Sequence, residues 1–125
     1  MTVGEAKQPR LLDALMDVLV RHAGPKQMPG RQELLAEALQ ITSQDRNAAY
    51  GEPEDNFANI AAYWNAYCQQ RFKVALDITP QDVAHFMILM KMARLATNAQ
   101  HRDSLVDIAG YAACAEDCRA KRASI

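Results

Sequence analysis

A chain of 125 residues, half of them hydrophobic, is long enough for one domain with a real core, so disorder beyond the ends is not expected. A formal net charge of −1 and a pI near 6.3 exclude overall attraction to nucleic acid or anionic lipid. No stretch approaches the roughly 20 apolar residues that a bilayer-spanning helix needs, and MTVGEAKQPR has no signal-peptide core behind its charges, so a cytoplasmic location is expected.

Nothing reads as a sheet. Apolar residues recur at three and four, runs of β-branched residues are missing, and the nearest thing to a strand, Lys73-Val-Ala-Leu-Asp77-Ile, is short. The first of five predicted helices covers about Pro9 to His22, with Leu12, Leu15, Met16 and Leu19 as its apolar stripe, and stops at Gly24-Pro25. The second runs from about Gln32 to Tyr50, turning Leu35, Ala38, Leu39 and Ile41 inward, and ends at Gly51, a residue type suited to a C-cap. The third, about Glu54 to Phe72, opens on acids that suit a helix N-terminus. It has an apolar face of Phe57, Ile60, Trp64 and Cys68 and a polar one of Asn56, Asn59, Tyr63 and Gln70.

Thr79-Pro80-Gln-Asp82 is a start signal for the fourth helix, with Thr as N-cap and Pro at the first helical position. That helix runs to about Thr97 and is expected to bury Val83, Phe86, Met87, Met90 and Ala93, with Lys91 and Arg94 about 60° apart on a flank. The fifth follows from about Arg102 to Ala120, with Leu105, Ile108, Ala112 and Ala115 inward. Asp103, Asp107, Gly110, Tyr111 and Cys114 form a second stripe, whose small Gly110 and Cys114 would let another helix come close. The expected architecture is an all-α antiparallel bundle, with short turns at 51–55 and 98–101. Residues 1–30, a helix and linker, precede a helical domain over 31–125 in a single globular unit.

Chemistry-bearing residues concentrate late in the chain. Asp103 and Asp107 lie one turn apart on one helix, and Lys91 and Arg94 on the helix before it. Converging on one groove, two carboxylates and two cations suit a divalent ion with a phosphorylated ligand; the same charges serve equally as a solvated face with ordinary ion pairs. Arg46 and Tyr50, about one turn apart, can clamp a phosphate and stack on a base, or Tyr50 can cap the core while Arg46 pairs with Glu54 or Asp55. Asn56 and Asn59 beside Tyr63 can read a base or sugar, or form a solvated face.

Other chemistries fit poorly. There is no G-x-S-x-G and no Gly-rich phosphate loop, and His22, His85 and His101 have no spacing that defines a zinc site or triad. His85, among apolar residues, reads as a hydrogen-bonded core or interface histidine. Cys68, Cys114 and Cys118 are odd in number, and the C-x-x-x-C pair lies in a helical pattern, so neither a disulfide framework nor a zinc knuckle is expected. The basic end Arg119-Ala-Lys121-Arg122 suits a helix C-terminus, where cations oppose the dipole.

The series Arg46-x-x-x-Tyr50-Gly51, Asn56-Phe57, Lys91-x-x-Arg94 and Asp103-Ser-x-x-Asp107-x-x-Gly110-Tyr111 resembles a family of uncharacterised small phage and bacterial proteins related to the nucleotide-modification-associated domains. The resemblance covers about Ile41 to Ala115, and that family looks like a distant branch of the all-α, MazG-like nucleoside triphosphate pyrophosphohydrolases. It implies a nucleotide ligand, Mg²⁺ held by Asp103 and Asp107, phosphate neutralised by Lys91 and Arg94, and nucleotide contacts from Arg46, Tyr50, Asn56 and Asn59. It also implies subunits that associate. The chain departs from the superfamily's E-x-x-E and E-x-x-D pattern: Ser104 falls at a glutamate position, and Asn56-Phe-Ala-Asn59 replaces the earlier acids. Fewer charges give a weaker Mg²⁺ site. Two readings follow, a Mg²⁺-dependent nucleotide pyrophosphohydrolase, or a non-catalytic phage or prophage accessory protein that uses the scaffold for oligomerisation or partner binding.

Overall fold

The computed structural model describes residues 10–23, 29–43 and 51–123. Five helices account for nearly all of them: α1 (Leu11–Ala23), α2 (Gly30–Ile41), α3 (Pro53–Phe72), α4 (Pro80–Thr97) and α5 (Arg102–Ala123). No strand occurs among the described residues, and the expected all-α bundle is the observed fold class. None of these helices is long and apolar enough to cross a membrane.

The start of α4 is built as its sequence indicates. Thr79 accepts a hydrogen bond from the Asp82 backbone N–H (3.2 Å), and the Asp82 carboxylate accepts one from the Thr79 N–H (3.0 Å), closing a capping box ahead of Pro80. That backbone bond holds the Asp82 carboxyl below its ordinary range. The turn into α5 is fixed by short-range bonds: the Asn98 side chain accepts from the Gln100 N–H, and the His101 ring bonds the Ser104 hydroxyl at 2.7 Å. A four-residue turn folds α5 back along α4.

Residues 73–79 join α3 to α4. Lys73 ends α3 in the left-handed region at φ 59°. At the other end of the connection Asn65 takes the part of a strand neighbour: its Nδ2 donates to the Ile78 carbonyl (3.0 Å), and its Oδ1 accepts from the Ile78 N–H (2.9 Å). Asn65→Ala leaves both backbone groups without their partner. It is expected to cost about 2 kcal/mol, read as a lower urea midpoint with an unchanged slope.

The main core lies between α3, α4 and α5, where Phe57, Ala61, Val83, Ala84, Ala115 and Cys118 are buried and Ile60, Trp64, Met87 and Tyr111 pack around them. Helix α5 touches α2, α3 and α4, so the arc it buries is wide. This corrects the expected facing. On α5 the buried positions are Ser104, Val106, Gly110, Ala115 and Cys118, while Leu105 and Ala112 are exposed; the stripe of small residues is the inward one. At Gly110 the end of α2 comes near, and a Cβ there would sit 3.4 Å from Ile41 Cδ1.

Similar corrections apply elsewhere. Helix α2 beds on Ala36 and Ala38, with Leu35 and Leu39 exposed; on α1, Leu12 and Met16 are half-buried and Leu15 is exposed. Helix α4 buries Val83, Ala84 and Lys91, leaving Phe86, Met90, Ala93 and His85 exposed, so His85 is not a core histidine. Small side chains let helices approach, and the inward direction follows them rather than the larger apolar residues.

Candidate functional site

One cavity of about 330 Å³ brings together motif residues some fifty positions apart in sequence. Helix α3 contributes Asn56, Phe57 and Ile60, α4 contributes Met87, and α5 contributes Asp107, Gly110, Tyr111, Cys114 and Asp117. Ile41 and Thr42, at the end of α2, form its roof, and Gly51 and Pro53 its edge. Most of the walls are apolar, with the Phe57 and Tyr111 rings 6.4 Å apart and tilted by 37°. A mainly apolar hole with a few polar groups is the usual form of a small-molecule site.

Asp107 lies at one end of the cavity. Its carboxylate meets Lys91 Nζ at 2.9 Å, with 11% of the lysine side chain and 30% of the aspartate side chain exposed. Burial makes this pair different from the surface pairs Arg119–Glu116 and Lys121–Asp55, which are half exposed or more and contribute little. The sequence pattern places Lys91 on a flank of the buried stripe; the structure puts it inside, with Asp107 on α5 matching its charge.

Asp117 lines the same cavity ten residues further along α5, about 15 Å at a helix's rise per residue. Asp117 is an exposed residue, yet partial burial, then the neighbouring carboxylates of Glu54 and Glu116, raise its pKa. Glu54, in the first turn of α3, has its Oε2 buried without a hydrogen-bond partner. Burial and the charge of Glu54 also push the Cys118 thiol up to about 11, which leaves it an un-ionised core thiol. Since folding raises the Asp117 pKa, the ionised carboxylate opposes folding: stability falls as pH rises from the ordinary aspartate range, about 3.9, through the folded value. Asp117→Asn is therefore expected to raise Tm at pH 7 and to leave it unchanged below that range.

The remaining expected site residues separate. Asn56 is half-buried at the cavity, whereas Asn59, Arg94 and Asp103 are exposed. Arg46 and Tyr50 lie outside the described residues. Ser104 is fully buried and bonded to His101, so position 104 faces the interior rather than a groove. Among the described residues no three His, Cys, Asp or Glu side chains form a group that could hold a metal. A Mg²⁺ ion at Asp107 and the exposed Asp103 would therefore have to bring most of its oxygen ligands with it, as Mg²⁺ does when it arrives on substrate phosphates. Neither Asp117 nor Asn65 is among the site residues expected from the sequence. Asp117 carries the α5 register one stretch beyond Asp107, which is a readable signal; Asn65 acts on a connection that has no sequence signature.

A domain that is helical throughout its described elements, with an apolar-walled cavity between α2, α3 and α5, defines the class. Comparison with known proteins gives the family: residues 33–119 match Domain of unknown function (DUF6378), and the chain belongs to that family. It is similar to the Gene 55 protein of Mycobacterium phage D29, at 41% identity over 85 residues, covering 68% of this chain and 52% of the relative. It is likewise similar to the Gene 55 protein of Mycobacterium phage L5, at 42% identity over 83 residues, covering 66% and 50%. The chain spans about half the length of these phage relatives. No solved structure matches it.

Proposed function

We propose that this is a nucleotide-binding helical domain of MazG-like type, with base and sugar in the cavity and phosphates at the Asp107 end. The observation that carries this reading is the convergence of Asn56-Phe57 from α3 and Asp107-x-x-Gly110-Tyr111 from α5 on one cavity of about 330 Å³. Flat apolar walls suit a base, Asn56 can donate and accept at a sugar or base edge, and Arg94 is exposed near enough in sequence to Lys91 to meet phosphate from outside. Arg46 and Tyr50 belong to the same proposed set on sequence grounds alone.

Phosphates beside Asp107 need their charge offset. Lys91 is already matched by Asp107, so Mg²⁺ held by Asp107 and Asp103, with the exposed Arg94, would supply the positive charge and polarise the phosphorus centre for hydrolysis. This chain's own contribution is to orient the nucleotide and to exclude water from the base. Two carboxylates, with amides at Asn56 and Asn59 where relatives of the superfamily pattern have acids, support binding more directly than pyrophosphate release. Titration calorimetry of the full chain with nucleoside triphosphates at millimolar Mg²⁺ tests the reading: saturable one-site binding is expected. Nucleotides that neither bind nor raise Tm would end it. Pyrophosphate release with and without Mg²⁺ then separates a hydrolase from a binding protein.

A second reading rests on a different observation. Tyr67 and Phe72 on α3 and Phe86, Leu89 and Met90 on α4 are all exposed. So many large apolar side chains on two neighbouring helices favour self-association, with the domain as an oligomeric scaffold. Light scattering at micromolar concentration is expected to give more than a monomer's mass.

A further inference from the structure

The cavity's polar groups are unequally matched, and the mismatch bears on which base it would take. Among the residues that line it are two aspartates and an asparagine but no lysine, arginine or histidine. At one end Asp107 is neutralised by Lys91. At the other, Asp117 is exposed where it lines the cavity and no cation pairs with it among the described residues, while Glu54, which stands behind the lining with a buried oxygen that nothing bonds, is close enough to raise the Asp117 pKa. That end of the cavity offers acceptors and is short of donors. A ligand completes it by bringing N–H groups.

Nucleobases differ sharply in this respect. Guanine presents a ring N–H beside an exocyclic amine, two adjacent donors that one carboxylate can accept together. Adenine and cytosine present an amine next to a ring-nitrogen acceptor. Thymine and uracil present one N–H between two carbonyls, whose oxygens would face the carboxylate. We propose that Asp117, backed by Glu54, reads the paired N–H donors of a guanine base held in this cavity. The proposal deepens the nucleotide-binding reading and rests on it. Placing the base at Asp117 leaves the sugar beside Asn56 and Tyr111 and the phosphates beside Asp107, an order that fits the roughly 15 Å between the two aspartates.

The test is a titration of the full chain, at millimolar Mg²⁺, with dGTP, dITP, dATP, dCTP and dTTP. Expected is dGTP tightest, by about tenfold or more over dTTP, the scale of one hydrogen bond to a charged group. dITP, which keeps the ring N–H but lacks the amine, should fall between them. Asp117→Asn should erase the preference for dGTP over dTTP while its melting temperature stays at or above that of the wild type, so loss of selectivity is not loss of fold. Equal affinity for dGTP, dITP and dTTP would overturn the guanine assignment and leave nucleotide binding standing. An Asp117→Asn protein that keeps full dGTP preference would also overturn it. Binding of none of the five would remove the nucleotide reading itself, and this inference with it.

Discussion

Lys91→Ala is expected to destabilise the protein by about 3 kcal/mol, the low end of what removing one partner of a buried ion pair costs. The lysine is buried, and its ammonium lies 2.9 Å from a carboxylate that is only partly reached by water. Truncation leaves Asp107 charged, without its partner, at the edge of an apolar cavity. The comparison that isolates the pair is the double substitution Lys91→Met with Asp107→Leu, which replaces both charges by apolar groups and should recover most of the loss. Urea denaturation of the wild type, Lys91→Ala and the double variant reads all three. A Lys91→Ala midpoint equal to that of the wild type would mean that the pair is solvated in solution. Arg94→Ala, by contrast, changes an exposed residue and should leave stability within about 0.5 kcal/mol of the wild type.

Phe57→Ala should cost about 3–5 kcal/mol. The ring is 7% exposed and stands between the α3–α4–α5 core and the cavity, with Tyr111 on its far side. Deleting it joins new empty volume to a cavity that already exists, so the surroundings have little to collapse onto. Phe57→Leu keeps most of the volume and should cost less than about 1.5 kcal/mol. Chemical denaturation distinguishes the two, and an alanine variant as stable as the leucine variant would show that the ring does not separate core from cavity.

The helices were largely legible because their punctuation is local. Thr79-Pro80-Gln-Asp82 specifies a capping box within four residues, and that box is present. The turn at 98–101 was likewise readable, and α3, α4 and α5 begin and end close to where composition and periodicity put them. Which face points inward was less legible. Helices α2 and α5 bury alanine, glycine and serine, and expose Leu35, Leu39 and Leu105, so weighting by side-chain size pointed the wrong way. Facing is decided by how closely neighbours approach, a property of pairs of helices rather than of one periodicity.

The candidate site shows the same division. Asn56 and Asp107 were named from spacing, and both reach the cavity. Asp103 shares the Asp107 motif but lies exposed in the first turn of α5. Spacing along a helix gives direction, not depth. Lys91 is legible as a charge near Asp107, yet its burial depends on how its helix packs, and Asp117 owes its raised pKa first to local burial and then to Glu54 on another helix.

Gly110 has a consequence for the size of molecule the cavity admits. The end of α2 rests there with only 3.4 Å between an added methyl and Ile41, and Ile41 and Thr42 are the roof. Position 110 therefore works as a spacer: alanine would just touch the roof, while any larger side chain would have to lift α2 or fill the hole beneath it. The bore of the cavity is thus set from outside its polar groups, by one residue that recognises nothing itself, and a change there would retune what fits without altering any atom that reads the ligand.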